Sequence, residues 1–244
     1  MTPTIRIGCA GWALATRDQA RFPAGDSHLA RYAQVFNAVE INSSFYRPHR
    51  PATWRKWASM VPPGFAFSVK LPRTITHEAR LEGAGEALRA FLDEVVNLGG
   101  HLGCLLVQLP PSLAFAASVP RFFDDLRQIY KGAVVCEPRH ASWFAPPVDA
   151  ILRERHIGRA AADPALTPRA HLPGGDRRVE YLRLHGSPRM YYDAYSPEAL
   201  ARIGQRLGRP GRATDARWVI FDNTAAGHAI DNALQLRGLC GEDN

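Results

Sequence analysis

Eight short apolar runs, each separated from the next by a longer connecting segment, constrain what this 244-residue chain can fold into more than any other feature. The runs are IRIGCAG (5–11), AVEINSSF (38–45), FAFSVKLP (65–72), GCLLVQLP (103–110), AVVCEPR (133–139), GRAAAD (158–163), VEYLRLHG (179–186) and RWVIFDNT (217–224). Between them, Leu29, Tyr32, Ala33 and Phe36 fall at i, i+3, i+4 and i+7, and Leu88, Phe91, Leu92 and Val95 repeat that stripe. Ser196-Pro197-Glu198 adds an N-cap, a proline at the first helical position and an acid in the first turn. Strands and helices alternating in this number predict an α/β fold, a (β/α)8 TIM-like barrel. The connection PALTPRAHLPGGDRR (164–178) is too rich in Pro and Gly for a helix, so the expected barrel is irregular and lacks a regular sixth helix. An open doubly wound sheet would want a Gly-rich phosphate turn after the first strand, and GCAGW is not a convincing one. No repeat or linker interrupts the pattern, and one domain over residues 1–244 is expected.

A chain of this length buries roughly 70 to 75% of its unfolded surface and needs no staples. Its cysteines, Cys9, Cys104, Cys136 and Cys240, have no CxxC or zinc spacing, which fits reduced packing residues in a cytoplasmic protein. No apolar run approaches a membrane span, so no membrane partner is expected, and no obligate protein partner is evident. The net charge of +7 favours anionic ligands and permits nucleic acid without requiring it.

Alternate residues of a barrel strand face the lumen and the helix layer, so each run can be split by parity. In AVEINSSFYR the apolar Val39 and Ile41 share one face, which leaves Glu40, Asn42 and Ser44 on the other. The same split places Arg6, Ser68, Lys70, Gln108, Glu137, Arg139, Asp163, Arg183, His185 and Asp222 on the inner side. Four acids, Glu40, Glu137, Asp163 and Asp222, then face four cations, Arg6, Lys70, Arg139 and Arg183. Balance is what burial requires, because breaking a buried pair typically costs about 3–5 kcal/mol. A buried network is nonetheless weak as a stabiliser, so charges at C-terminal strand ends read as a ligand site, and deep ones, such as Arg6 and Glu40, as a structural network.

The loops above those ends add Arg73, His77, His140, Trp143, Tyr191, Tyr192, Trp12 and Tyr46 as a rim of cations and flat rings, suited to phosphate-bearing aromatic ligands or sugars, although any one ring could simply cover the mouth. Asn223 precedes the last helix, where free backbone N–H groups can hold an anion or simply be capped. HExxH, P-loop and GxSxG motifs are missing from the sequence, as is any acyl-transfer triad. A divalent metal would have His77, Glu137, His140, His185 and Asp222 as donors. Lys70, Arg139 and Arg183 would be its neighbours, which argues against one, and no cofactor is predicted.

The motifs GCAGW, VEINSSFYR, FSVKLPRTITH, LLVQLPPS, CEPRHASW, YLRLHG and FDNTAAGHAIDNAL resemble, in order and spacing, the YecE-like family, domain of unknown function 72. The resemblance covers essentially the whole chain. It implies a TIM-barrel-like fold and no established activity. The chain departs from the family pattern at ALATRD, where many members carry a second aromatic after the first Trp, and at Asp222-Asn223, where many carry an Asn pair.

The residues themselves point to an enzyme acting on a small anionic or phosphate-containing ligand, by hydrolysis or phosphodiester chemistry. In this reading Lys70, Arg139 and Arg183 hold the anion, Glu137 or Asp222 is the general base, and His185 or His77 the general acid. Glu40, Asn42, Arg73, Gln108, His140, Asn223, Trp12, Tyr46, Trp143 and Tyr192 complete the expected binding set. The alternatives are a non-catalytic nucleotide or nucleic-acid binding module that uses the rim, and a barrel whose site has lost its chemistry.

Overall fold

The structure, a computed structural model, describes residues 3–209 and 214–241. Its strands are β1 (Thr4–Cys9), β2 (Ala38–Ile41), β3 (Ala66–Lys70), β4 (Leu102–Gln108), β5 (Val134–Glu137), β6 (Ile157–Arg159), β7 (Ala161–Asp163), β8 (Gly174–Gly175), β9 (Val179–Leu184) and β10 (Ala216–Phe221). Helices α1 (His28–Tyr32), α2 (Ser43–Tyr46), α3 (Pro51–Ser59), α4 (Gly85–Val95), α5 (Val119–Ile129), α6 (Pro146–Glu154), α7 (Pro197–Leu207) and α8 (His228–Leu239) lie between and after them.

All eight apolar runs contain strand. The second is shorter than expected: it leaves the sheet after Ile41 and turns into α2. The sixth is split at Ala160, so that β6 pairs with β5 while β7 pairs with β9. The ladders form two parallel arcs, β1-β10-β9-β7 and β2-β3-β4-β5-β6, with the short β8 antiparallel on β6. Strand β6–β7 carries the chain from one arc to the other.

The other junction, between β1 and β2, has a single backbone bridge, Ala10 to Glu40. Side chains do the pairing there. The Asn37 amide accepts from Ile7 N (3.0 Å) and donates to Ile5 O (2.9 Å). The Tyr32 hydroxyl accepts from Cys9 N (2.8 Å) and donates to Ala38 O (3.0 Å). Gly8 is required at this seam, since a Cβ would meet Ala38 O at 2.0 Å.

The core divides as strand parity demands. Val39, Ile41, Val69, Val107 and Val219 pack with the helices, together with the stripes Leu29/Tyr32/Ala33/Phe36 and Leu88/Phe91/Leu92/Val95. A second, smaller cluster fills the lower lumen: Ala38, Ala66, Cys104, Leu106, Val135, Ala160, Tyr181, Trp218 and Ile220. Ser196 caps α7 by accepting from Ala199 N.

The expected gap at helix six is present. Residues 164–175 instead form a loop with one 3-10 turn, Pro168–His171, and β8. Arg159, on the outer face of β6, anchors that loop from beneath by donating to Asp149, Arg169 O and Leu172 O. Among the described residues no helix is long and apolar enough to cross a membrane.

Candidate functional site

Polar residues occupy the barrel above a floor of rings. Trp218 stacks on Tyr181 (centroids 5.8 Å apart), and the Tyr181 hydroxyl lies at 2.9 Å from Glu40 Oε2 and 2.8 Å from Ser68 Oγ. Arg183, two residues further along β9 and so on the same face, comes next. Its Nε donates to Glu40 Oε2 (2.9 Å) and its Nη2 to Glu40 Oε1 (2.7 Å). Nη1 donates to Glu137 Oε2 (2.7 Å), and Nη2 also to Asp222 Oδ2 (3.0 Å).

Above Arg183 sits His185. Its Nδ1 is 3.0 Å from Asp222 Oδ2, and its Nε2 is 3.1 Å from Glu137 Oε1 and 2.8 Å from Arg139 Nη2. A guanidinium can only donate, so its contact with Nε2 needs the lone pair there. The imidazole proton then lies on Nδ1, toward Asp222. Arg139 also pairs with Glu137 Oε1 (2.7 Å).

These contacts set the charge states. Burial alone would raise the Glu137 carboxyl, but Arg183, Arg139 and the His185 hydrogen bond hold it well below the usual carboxylate range. Asp222 is likewise lowered, with Arg183 and then His185 outweighing burial. Burial and the nearby Arg183 push Lys70 down to about 8. Its Nζ lies 4.0 Å above the Phe45 ring centroid, with no carboxylate within ion-pair distance among the described residues. His77, whose Nδ1 is 2.9 Å from Thr76 Oγ1 and whose ring abuts the other side of this corner through Phe45, is lowered by burial and by Lys70.

The inner set is smaller than expected. Asp163 stands opposite Leu184, a residue of the helix-side core, so its carboxylate lies on the outer face of β7, where His171 approaches to 3.8 Å. Arg6 does face inward but lies under Trp218 (5.6 Å), donating to Gly64 O (2.8 Å) at the opposite end of the barrel. With both removed the balance survives: Glu40, Glu137 and Asp222 face Lys70, Arg139 and Arg183.

Several rim assignments also change. Trp143 is fully buried and donates to Leu113 O (2.8 Å), so it is a packing residue. Asn223 is buried too. Its Nδ2 donates to Asp193 O and Asn232 Oδ1, locking the loop after β9 to α8 rather than facing an anion. Arg73 pairs at the surface with Glu78 (3.0 Å), and His140 caps the turn Ala141–Phe144 through Ser142 N (3.2 Å). Trp12 packs edge-on against Trp57 (5.2 Å). Tyr46 and Tyr192 are exposed, the latter beneath the Arg189 guanidinium (4.0 Å).

Half-buried Gln108 donates back to Leu109 O, while Asn42 keeps a buried Oδ1 with no partner, as Arg139 does a buried Nε. One contributor escaped the sequence reading: Tyr181 shares the inner parity of Arg183 and was legible by that rule. Tyr191, expected on the rim, has positive φ (70°) and lays its ring edge-on over His185 (5.6 Å).

The order of these elements is shared by solved structures. A DUF72 family protein from Thermotoga maritima superposes with a TM-score of 0.80 at 24% identity, over 98% of this chain and 99% of that one. One from Enterococcus faecalis gives 0.81 at 20% identity, over 98% and 96%. Among curated proteins, UPF0759 protein YecE of Escherichia coli K12 is 29% identical over 147 residues, 57% of this chain and 53% of that protein, so the matched part spans about half the length of YecE. UPF0759 protein YunF of Bacillus subtilis is 23% identical over 95% of this chain and 93% of its own. The sequence model described as "Protein of unknown function DUF72" matches residues 6–244, from the first strand through the last helix, and with that span the chain belongs to the DUF72 family.

Proposed function

We propose that the barrel mouth binds a small phosphate-containing anion and hydrolyses it by acid–base catalysis. One observation carries this reading: Lys70 is a mouth cation with no carboxylate within ion-pair distance among the described residues, whereas Arg183 and Arg139 are engaged by Glu40, Glu137 and Asp222. The anion therefore goes to Lys70, not to Arg183. The unpartnered Asn42 Oδ1 and Arg139 Nε offer it an acceptor and a donor, since a buried polar atom left unmet costs about 1–3 kcal/mol.

Asp222 is the general base. It reaches the mouth with 15% of its side chain exposed, and His185 behind it, through Nδ1, holds the carboxylate in place. Glu137 itself is not the base in this reading, because guanidinium groups occupy both its oxygens. Lys70, with its pKa near 8, suits the general acid for the leaving group better than His77, which is lowered away from its charged form.

The test is binding of inorganic phosphate by titration calorimetry and hydrolysis of bis(p-nitrophenyl) phosphate. Lys70→Met abolishes phosphate binding and Asp222→Asn lowers turnover by roughly 10²–10⁴-fold. Unchanged binding and turnover in both variants discard the assignment.

A second reading, a non-catalytic nucleotide or nucleic-acid binding module, is favoured by the exposed rings Tyr46, Tyr191 and Tyr192. It requires affinity for single strands that falls steeply with salt.

A further inference from the structure

A cavity of about 220 Å³ opens beside Arg139, walled by Phe144, Ala160, Ala162, Ala165, Leu166 and Met190. Among the described residues Arg139 is the only charged one lining it, and the same side chain contacts Glu137 and His185. Arg139 therefore stands between the cavity and the site, and the cavity is opposite to the site in character. Its outer wall, Pro164 to Ala170, is the loop that stands where a sixth helix would run. Arg159 holds that loop from beneath and packs on the back of Phe144 (4.8 Å). The missing helix thus leaves an apolar recess at the strand ends.

We propose that this recess is a substrate subsite for an aryl or branched alkyl group attached to the anion. Deepening the anion reading given above, it rests on that reading for where the charged end sits. Size supports an aryl group: an apolar cavity of roughly 150 Å³ already accommodates benzene. Among the described residues its lining has no hydrogen-bonding side chain apart from Arg139, so the recess rewards apolar surface and penalises a polar group. A ligand spanning both parts places its charge at Lys70 and Arg139 and its ring against Phe144 and Ala162.

The experiment compares inorganic phosphate, methylphosphonate, phenylphosphonate and the neutral probe benzyl alcohol on the full-length protein. Calorimetry gives the affinities, and the NMR signal of the Met190 methyl reports on occupancy. Phenylphosphonate is expected to bind at least tenfold more tightly than methylphosphonate. Ala165→Leu, which fills the recess from its loop wall, should remove that gain and leave methylphosphonate binding unchanged. Met190→Ala, which enlarges the recess, should extend the gain to naphthylphosphonate. Equal affinity for the phenyl and methyl compounds overturns the subsite. If no anion binds, the Lys70 reading fails by itself and benzyl alcohol decides the subsite. A Met190 shift abolished by Ala165→Leu supports it, and no shift overturns it.

Discussion

Arg183 holds Glu40 by both carboxylate oxygens across the lumen, Nε to Oε2 at 2.9 Å and Nη2 to Oε1 at 2.7 Å, with neither side chain reaching solvent. Removing one partner leaves the other charged and uncompensated. Glu40→Gln and Arg183→Met are each expected to destabilise the fold by about 3–5 kcal/mol in urea unfolding. The double variant should cost clearly less than the sum. Additive losses would show that the two do not act as a pair.

Lys70 supplies a pH signature. Its native pKa of about 8 lies below the ordinary 10.5, so between those values the unfolded chain holds a proton that the native lysine has released. Stability should rise with pH through that window, and Lys70→Met should flatten the rise. Amine labelling gives an independent reading. The chain has three lysines, Lys56, Lys70 and Lys131, so the modification rate of Lys70 can be followed by mass and should titrate near 8.

Acid should act on the opposite limb. Glu137 and Asp222 are held below their ordinary range, so the stability they contribute is complete above the unfolded carboxylate values of about 4. It is lost as pH falls through the lower native values. Glu137→Gln should reduce the slope of stability against pH below about 4, and an unchanged slope would remove this account of the cluster.

Tyr191 covers His185 edge-on, and the imidazole is fully buried. Tyr191→Ala should open the ring to diethyl pyrocarbonate, read as carbethoxylation of the His185 peptide, while the melting temperature changes little. Labelling equal to that of the parent protein would mean that other residues shield the ring.

Arg159 is buried and ties Asp149 to the carbonyls of Arg169 and Leu172. Arg159→Met should raise proteolytic cutting within residues 164–175 several-fold without altering the pH behaviour of Lys70. Cutting elsewhere in the chain would point to global unfolding instead.

The period-two pattern was enough to bring Glu40, Lys70, Glu137, Arg183, His185 and Asp222 to one lumen, because a strand forces alternate side chains to opposite faces. It misplaced Asp163, which lies one residue out of phase with the inward Ala162. It also could not tell the two ends of the lumen apart. Arg6 has the right parity, yet the Trp218 and Tyr181 rings separate it from the other charges. Loop residues carry no such rule. Trp143, Asn223 and Tyr191 look alike in sequence as rim groups, but packing buries the first two and lays the third over His185. The partition of Arg183 among three carboxylates depends on side-chain reach, which spacing along the chain does not encode.

The seam between β1 and β2 has a mechanical meaning. Only one backbone bridge crosses it, and that bridge ends on Glu40, the residue that Arg183 grips from inside. Sliding β2 past β1 would drag the carboxylate off its guanidinium, so the ion pair serves as a tie-rod along a chord of the ring. Asn37 and Tyr32 stitch the circumference, and the charges brace the span behind it.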